Sequence, residues 1–366
     1  MVVATNFVPP YRAPVFEALA QRAPGLALVV DTAVERNRAW APARTSVPQH
    51  RTRGISVTRG VATAAGRERR ELHLPVGLPV LLTRLRPRAV VSSEMGLRSW
   101  LCALWCLVAR RPFYLWLTLS ERTESHRPAW QHASRRLLAR LAAGAVVHSD
   151  SAARYARSLR ADLRLVQHPQ VTPLPDGRRP AAARRRTGEL LCVGQLVERK
   201  AVLPAVQALA TADLEAPVHL HLVGEGPLAG AVAATTGPHL TTTLHGHVPY
   251  EEVQQWYESA DALLFPSLED EWGLVVNEAL AAGMPVLGST GAAAVPSLVE
   301  DGVNGRVHEP GDAAGLVASV RWLQGLTDEE YEEVSRAAVR SVRGATVEGL
   351  ADALAELVGP RPGARA

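Results

Sequence analysis

Two adjacent cations in the second half of the chain, Arg199 and Lys200, have the placement expected of a phosphate-binding pair. They follow a strand-like run that ends at Val193 and a turn that Gly194 permits, so they belong to a loop at the end of a strand. Two positive charges in such a loop suit a diphosphate, which carries about two negative charges. An ordinary exposed basic pair has the same sequence, so this interpretation depends on the surrounding segments.

Lys200 is also the one lysine among the 40 basic residues of the chain, and all the others are arginine. Such a bias towards arginine is typical of high-GC actinobacterial coding sequences. Against that background, an isolated lysine indicates a position where arginine would not serve, because the two side chains differ in shape and hydration.

An acidic loop that leads through a glycine into a helix is the second candidate and the strongest in the chain. The loop holds Asp270 between two glutamates, and Gly273 opens the predicted helix. The first N–H groups of this helix, at Leu274 and Val275, have no partner within it and suit a phosphate. Glu278 lies on the second turn, so it and Asp270 can both accept bonds from sugar or ribose hydroxyls. A solvated acidic loop is the alternative.

Glycine turns followed by proline end two further predicted strands, at Gly224–Pro227 and Gly246–Pro249. Proline is favoured in the first turn of a helix, so each turn leads from a strand into a helix. The second turn would present backbone groups near Val248 to the edge of a base. Either turn alone is also consistent with a purely structural role, and the histidines at 245 and 247 then have no function.

The rest of the chain alternates short apolar runs with amphipathic helical segments, which is the pattern of parallel sheets covered by helices. The predicted fold is α/β, with two doubly wound Rossmann-like domains facing across a cleft. Ligands of such sheets bind in the loops at the carboxyl ends of the strands. The predicted strands cover residues 1–5, 26–30, 55–58, 89–92, 113–118, 145–148, 163–167, 189–193, 218–223, 241–245, 262–265 and 285–288.

Charge divides the chain into two halves of opposite sign. Residues 1–187 hold 31 of the 40 basic residues and 11 of the 36 acidic ones, so the first half carries about +20 and the second about −16. The Pro/Gly/Arg-rich stretch between them reads as a linker. The predicted organisation is an N-terminal domain, a linker, a C-terminal domain, and a C-terminal helix that crosses back to the N-terminal domain, over residues 1–170, 171–187, 188–345 and 346–366.

The composition also restricts partners and compartment. The basic half fits a nucleic acid, an anionic membrane or a phosphorylated acceptor, and it fits equally a solvated surface or one that complements the acidic half. The 3 cysteines give no disulfide framework, and two of them lie in an apolar run typical of buried thiols. With no secretory signal and no apolar run of membrane-spanning length, we expect a cytoplasmic protein, with peripheral contact at the inner membrane face as the alternative.

These motifs together resemble the retaining, two-domain (GT-B type) glycosyltransferases of family four, also called glycosyltransferase group 1. The shared pattern is the Gly-x-Leu loop with Arg and Lys, the Gly-x-Gly-Pro turn, the paired acids eight apart, Ala-x-Gly-x-Pro-Val, and the run Gly291–Gly305. The motif Trp-Gly-Leu-Val-Val-Asn-Glu-Ala, which starts at Trp272, is similar to that of one branch of this family. The resemblance covers residues 188–312, with Asp270 where relatives have glutamate, and the N-terminal half matches loosely through Pro10–Arg12.

The resemblance implies a nucleotide-sugar donor and assigns roles to residues of this chain. Arg199 and Lys200 would neutralise the donor diphosphate, Asp270 would contact the sugar and Glu278 would hold the ribose hydroxyls. The backbone at Val248 would contact the base. The loop at Gly194 and the first turn of the helix, at Gly273, Leu274 and Val275, would bind phosphate or sugar oxygens.

For the reaction, the resemblance implies transfer with retention of anomeric configuration and without a metal or other cofactor. No cluster of His, Cys and Asp with metal-ligand spacing is visible in the sequence. The acceptor would be a small molecule or a lipid-linked glycan bound by the N-terminal domain, where the candidate residues are Asn6, Arg12, Glu121 and His126.

Three other functions compete with this one. An NAD-dependent oxidoreductase needs a Gly-x-Gly-x-x-Gly turn after the first strand, where this chain has Thr-Asn-Phe-Val-Pro-Pro. A non-hydrolysing sugar-nucleotide epimerase shares the architecture. An Arg-rich nucleic-acid-binding module fits the basic half, but the arginines are scattered and form no recognition motif, so no nucleic acid is expected.

Overall fold

The computed structural model places the chain in two compact units, and the residues that it describes are 1–32, 45–63, 66–172 and 187–359. The first unit comprises Met1–Ala62, Arg67–Pro173 and Ala345–Ala366; the second comprises Thr63–Gly66 and Leu174–Gly344. Most of the predicted linker, residues 173–186, lies outside the described residues.

The first unit is built on a seven-stranded parallel sheet of order β3-β2-β1-β6-β7-β8-β9, and β4 pairs with β5 in a separate two-stranded sheet. The strands are β1 (Val2–Thr5), β2 (Ala27–Val30), β3 (Gln49–Arg51), β4 (Ile55–Thr63), β5 (Gly66–Leu74), β6 (Val90–Ser93), β7 (Phe113–Leu117), β8 (Gly144–Val147) and β9 (Leu165–Gln167). The α-helices among them are α1 (Ala13–Arg22), α2 (Leu78–Leu85), α3 (Leu97–Ala109), α4 (Glu121–Glu124), α5 (Ala129–Leu141) and α6 (Asp150–Leu159).

The second unit is built on a six-stranded parallel sheet of order β12-β11-β10-β13-β14-β15. Its strands are β10 (Glu189–Val193), β11 (Val218–Val223), β12 (Leu240–Gly246), β13 (Ala262–Phe265), β14 (Val286–Ser289) and β15 (Gly305–His308). Its α-helices are α7 (Val202–Thr211), α8 (Ala229–Ala233), α9 (Tyr250–Ser259), α10 (Leu274–Ala281), α11 (Ala294–Leu298), α12 (Ala313–Gly325) and α13 (Asp328–Ser341).

The central strands of each sheet, such as β1, β7, β8 and β13, are buried on both faces, which is why they are continuous apolar runs. In β1, Val2 and Ala4 belong to the core beneath α2, α3, α5 and α6, whereas Val3 belongs to the core on the opposite face. In β10, Leu191 and Leu190 separate in the same way. This architecture confirms the predicted α/β class with two Rossmann-like domains.

The last helix, α14 (Val347–Val358), belongs to the first unit although it follows the second in sequence. It begins where the Thr346 side chain accepts a bond from Gly349 N–H. Its buried Leu350, Leu354 and Leu357 pack in one cluster with side chains of α1. The cluster therefore fixes α14 on the face of the first sheet opposite α2, α3, α5 and α6.

Four strands differ from the sequence prediction, and one of them, β5, has no counterpart among the predicted strands. The strand predicted over 55–58 is β4, which pairs with β5; the connection between the two is too short for the crossover that a parallel pair needs. Strands β3 and β15 were not predicted, because both are sheet edges whose residues Gln-His-Arg and Gly-Arg-Val-His form no apolar run. Among the described residues, no helix is both long and apolar enough to cross a membrane.

Shortening Leu354 to alanine tests the docking of α14. Leu354 is fully buried, so its replacement leaves a cavity, and we expect the first unit to lose about 2–5 kcal/mol of unfolding free energy. Calorimetry of the full chain would show this as an earlier transition. Glu356→Ala, on the exposed face of α14, is the matched control and should change stability by no more than about 0.5 kcal/mol. Equal effects of the two substitutions would contradict the docked helix.

Candidate active site

The strand order of the second sheet reverses between β10 and β13. From β10 the chain proceeds outward through β11 to β12, and it then returns to lay β13 on the other side of β10. In open parallel sheets, the loops after the two strands at such a reversal flank the crevice in which ligands bind. The loops after β10 and β13 are the two that the sequence singled out.

Glycines allow the loops after β10 and β11 to pack backbone against backbone. Gly194 and Gly224 both have positive φ, of 154° and 141°. A Cβ on Gly224 would lie 2.0 Å from the carbonyl oxygen of Gly194, and one on Gly226 would lie 2.3 Å from that of Leu196. Gly224 and Gly226 are therefore required by the packing, because a side chain at either position would push the β11 loop away from the β10 loop that leads to Arg199 and Lys200.

Lys200 ends a short 3-10 helix, Glu198–Lys200, and its ammonium group pairs with the carboxylate of Asp270. Both side chains are mostly buried, at 15% and 18% exposure. The ammonium nitrogen also lies 5.1 Å from the centre of the Phe265 ring, at the end of β13. The ion pair thus joins the two loops that flank the crevice.

The electrostatics keep Asp270 ionised. Burial on its own would raise the pKa of this carboxyl, but the charges of Lys200 and Arg199 outweigh it, so the pKa lies below its ordinary value. The backbone N–H of Asp270 donates to Gly291 (3.0 Å), and that of Leu268 donates to the carbonyl of Arg199 (2.9 Å). Of the three consecutive acids, Asp270 is the one that pairs with Lys200.

Helix α10 begins directly after Gly273, which has φ of 100°. A Cβ at this position would lie 2.9 Å from ring carbons of Phe265, so only glycine fits. Just before the helix, the Trp272 indole N–H donates to the side-chain oxygen of Asn277, on the first turn of α10 (2.7 Å). The first turn at Leu274 and Val275 is thereby fixed beside Asp270, and the N–H groups of a helix's first turn are oriented for an anion.

Glu278, on the second turn of α10, lies deeper than the sequence suggested. Its carboxylate is 6% exposed and accepts a hydrogen bond of 2.7 Å from the hydroxyl of the fully buried Tyr257, on α9. The sequence analysis did not identify Tyr257, since its only signal is a place in an amphipathic helix. Tyr257 fixes the orientation of the carboxylate that the resemblance assigns to ribose.

Val248 lies in the loop between β12 and α9 and is half-buried against the core of that face. The neighbouring His247 N–H donates to the Glu225 carboxylate (3.3 Å), and the Gly224 N–H donates to the carbonyl of Gly246 (2.8 Å). The turns after β11 and β12 therefore support each other, and their backbone is held at the carboxyl edge of the sheet.

The four candidate residues of the first unit lie in two places, with Asn6 and Arg12 in one and Glu121 and His126 in the other. Asn6 follows β1, and its carbonyl accepts the N–H groups of Asp31 and Thr32, both at 2.9 Å. The guanidinium of Arg12 stacks 4.7 Å from the ring centre of Trp116, in β7. Both candidates thus lie at the carboxyl edge of the first sheet.

Glu121 is the first residue of the short helix α4, and His126 lies two residues after that helix ends. Glu121 is more than half exposed and lies 3.7 Å from Arg154, while His126 is exposed. A residue that the sequence analysis missed lies near Trp116: His148, after β8, is buried and accepts the Trp116 indole N–H (2.5 Å). Its other ring nitrogen donates to the His168 carbonyl (2.8 Å).

Burial, with a smaller contribution from the nearby charge of Arg12, lowers the pKa of His148 to about 3, so the imidazole is neutral. The sequence carried a faint signal for it, a histidine directly after a buried strand. A second set of histidines, His219 and His221, lies with Glu189 in the second unit with metal-ligand spacing that the linear sequence did not reveal.

The Gly273→Ala substitution tests the close packing at the start of α10. The added methyl group would overlap the Phe265 ring and would strain the positive φ, so we expect a loss of about 1–3 kcal/mol in the stability of the second unit. Thermal unfolding of the full chain measures it. Gly230→Ala is the control: its methyl group meets open space within helix α8, so stability should hold or rise. A neutral Gly273→Ala would show that this contact is loose.

Known proteins match the chain at the level of both sequence and fold. Residues 187–325 match the family model described as "Glycosyl transferases group 1". The glycogen synthase of Mycobacterium tuberculosis is 36% identical over 166 residues, which is 42% of this chain and 39% of that protein. The match therefore spans about two fifths of the length of this relative.

Two solved structures match nearly the whole chain. Sucrose-phosphate synthase from Thermosynechococcus elongatus has a TM-score of 0.71 at 16% identity, over 98% of each chain. The HepE protein of Anabaena, in complex with UDP and glucose, has a TM-score of 0.68 at 15% identity, over 97% of this chain and 98% of that one. The described units thus share the two-domain α/β fold of these solved structures, and residues 187–325 are similar in sequence to the glycosyl transferases group 1 family.

Proposed function

We propose that this protein is a glycosyltransferase that binds a nucleotide-sugar donor at the carboxyl ends of β10 and β13. The observation that carries the proposal is the Lys200–Asp270 pair beside the first turn of α10. It brings a cation, a carboxylate and a helix N-terminus to the strand-order reversal. All three belong to the segment that matches the glycosyltransferase family model.

The donor diphosphate is proposed to bind Lys200, Arg199 and the first turn of α10. An ammonium group has three N–H donors, so Lys200 can hold Asp270 and still donate to phosphate oxygens. The N–H groups at Leu274 and Val275 add fixed donors without a counter-charge. The absence of a side chain at Gly194 leaves space beside Lys200 for a phosphate group, since the nearest atom to a Cβ there would be Cε of Lys200, at 3.9 Å.

The remaining parts of the donor are assigned to the deeper residues. Glu278, oriented by Tyr257, is proposed to accept the ribose hydroxyls, and the backbone at Val248 is proposed to contact the base. Asp270 is proposed to accept a hydroxyl of the transferred sugar, because its low pKa keeps it an ionised acceptor.

In the proposed reaction, the bond between the anomeric carbon and the phosphate oxygen breaks, and its electron pair leaves with the nucleoside diphosphate. The acceptor hydroxyl forms the new bond to the anomeric carbon from the same face, which retains the configuration. Its proton passes to the departing phosphate. The protein's main contribution is to stabilise the developing phosphate charge with donors already in place. The transfer as proposed needs no metal.

The acceptor is proposed to bind the first unit, at the carboxyl edge where Asn6 and Arg12 lie. Arg12, stacked on Trp116 beside the neutral His148, places a positive charge there without a strong base. That combination suits a hydroxyl-bearing acceptor, either a small molecule or a lipid-linked glycan with a phosphate group.

Nucleotide-dependent thermal stabilisation tests the donor site. UDP, GDP and ADP, and then their sugars, are added to the full chain at millimolar concentration, with UDP first because HepE was crystallised with it. We expect one base to raise the melting temperature of the wild type by mass action. Lys200→Ala should weaken that nucleotide about 10- to 100-fold, because a bond to a charged group is lost. Lys200→Arg keeps the charge and should recover part of the effect.

Arg336→Ala is the matched control, since it removes an exposed cation on α13 that pairs with Glu332. It should leave the nucleotide effect unchanged. The proposal fails if no nucleotide stabilises the wild type, or if Lys200→Ala responds as fully as Arg336→Ala does.

For a lipid-linked acceptor, we propose peripheral contact with an anionic membrane through α3. The outer face of this helix exposes Leu104, Leu107 and Val108, by 49%, 62% and 86%. Arg110 and Arg111 follow and are exposed as well, and with Leu107 they line a cavity of about 320 Å³. Apolar side chains beside arginines are the composition of a surface that enters the headgroup region of anionic lipid.

Vesicle co-sedimentation tests this contact. The wild type should bind vesicles that contain phosphatidylglycerol more than neutral ones, and salt should weaken the binding. Replacing both Leu107 and Val108 by serine should reduce binding at least about tenfold, because more than one exposed apolar side chain is lost. Val303→Ser removes an exposed valine from the second unit and is the control. Equal binding by the variants would show that α3 is not the contact.

A further inference from the structure

Strand β11 departs from the pattern of a strand buried on both faces. Its sequence alternates, with Leu220 and Leu222 fully buried on one face and His219 and His221 on the other. Neighbouring strands add polar groups to the histidine face: Glu189 from β10 and Thr243 and His245 from β12. A parallel sheet flanked by helices normally presents aliphatic side chains on both faces.

Three of these side chains direct their donor atoms at one point. One carboxylate oxygen of Glu189 lies 3.1 Å from Nδ1 of His219 and 2.5 Å from Nε2 of His221. One such atom from each of the three residues lies within 4.8 Å of the other two. Ligands about 2.0–2.2 Å from a tetrahedral zinc ion are about 3.4 Å apart, so small side-chain rotations would accommodate the ion.

The ring nitrogens that face away from this point are also held. Nε2 of His219 lies 2.8 Å from the Thr243 hydroxyl, and Nδ1 of His221 lies 3.0 Å from Nε2 of His245. Metal-binding histidines usually have their second nitrogen fixed in this way, which sets the tautomer and the orientation of the ring. The Trp256 ring, on α9, packs 4.7 Å from the His221 ring and 4.2 Å from the His245 ring.

A fourth ligand position remains open to solvent. The side chains of His219 and Glu189 are 32% and 30% exposed, whereas that of His221 is 13% exposed. An ion bound here would have two imidazoles and one carboxylate from the protein, with water in the fourth position. Two histidines, one carboxylate and an open position form a recognised zinc ligand set, and imidazole favours zinc over calcium or magnesium.

We propose that Glu189, His219 and His221 form a binding site for one zinc ion on the β10–β11 face of the second unit. The ion would cross-link two adjacent strands, with Thr243 and His245 as orienting residues. The proposed ligands lie within the strands, whereas the proposed donor site lies in the loops after them. The site therefore does not depend on the proposed transfer reaction.

Zinc titration of the full chain, produced without a polyhistidine tag and stripped with EDTA, tests the proposal. Competition with a chromophoric chelator should show one zinc ion bound per chain, and zinc should raise the melting temperature. Cobalt should bind in the same place and give the visible absorption of a four-coordinate ion. Nucleotide-dependent stabilisation should persist in the metal-free protein, which separates this test from that of the donor site.

Three variants and a matched control decide the assignment. His219→Ala and Glu189→Gln should each abolish the stoichiometric zinc and the cobalt absorption. Thr243→Val removes an orienting bond and should weaken zinc about 10- to 100-fold. His239→Ala removes a half-buried histidine outside the cluster in the same unit and should bind as the wild type does.

Circular dichroism of each metal-free variant establishes that it is folded, and Thr243→Val retains all three ligands if a ligand variant unfolds. The proposal is overturned if the wild type binds no stoichiometric zinc. It is equally overturned if His219→Ala and Thr243→Val both bind zinc as tightly as His239→Ala does, because the cluster would then be a hydrogen-bonded network without an ion.

Discussion

The ion pair between Lys200 and Asp270 connects the two loops on which the candidate site of the second unit depends. Taking two charges out of water is costly, and the attraction between them offsets that cost only where the geometry is good and other polar contacts help. Here the ammonium also faces the Phe265 ring, and the charge of Arg199 supports the carboxylate. The pair therefore holds the β13 loop against the β10 loop, and Gly273 then sets the start of α10 beside both.

This arrangement also explains why one lysine persists in a chain whose other basic residues are arginines. A guanidinium is planar and wide, whereas an ammonium is compact and its three donors can point in different directions. The lysine stem runs close to Gly194, where a Cβ would lie 3.9 Å from its Cε, and its ammonium nitrogen lies 5.1 Å from the centre of the Phe265 ring. A compact charge suits a position between a carboxylate, an aromatic ring and a proposed phosphate better than a planar fork does.

The sequence predicted the features that are local in the chain and missed those that depend on distant partners. Most of the parallel strands, the glycine turns and the helix start at Gly273 are visible within a few residues, and apart from the strand predicted over 55–58 the structure places them as predicted. The partners of Asp270 and Glu278 are 70 and 21 residues away, so only the fold reveals that Lys200 and Tyr257 hold them. Edge strands such as β3 were missed because a solvated edge needs no apolar run.

In the first unit, two of the four residues that the sequence pointed to, Glu121 and His126, are exposed, whereas Arg12 stacks on Trp116 beside the buried His148. A buried neutral imidazole that accepts an indole N–H is not poised to act as a strong base, and the Arg12 cation stacked on that indole makes protonation harder still. Such an edge suits a reaction in which the departing phosphate takes the acceptor proton, which is the proposed chemistry.

The histidine face of β11 shows how one strand can serve two purposes. Its leucines fill the core under α7, α8 and α12, and its backbone pairs with β10 and β12. The opposite face is then free to carry polar groups, but it gives up apolar burial beneath α9 to do so. Hydrogen bonds among Glu189, His219 and His221 restore part of that loss. Three ligand atoms converge and both outer ring nitrogens are held, an arrangement for which the proposed zinc ion would account.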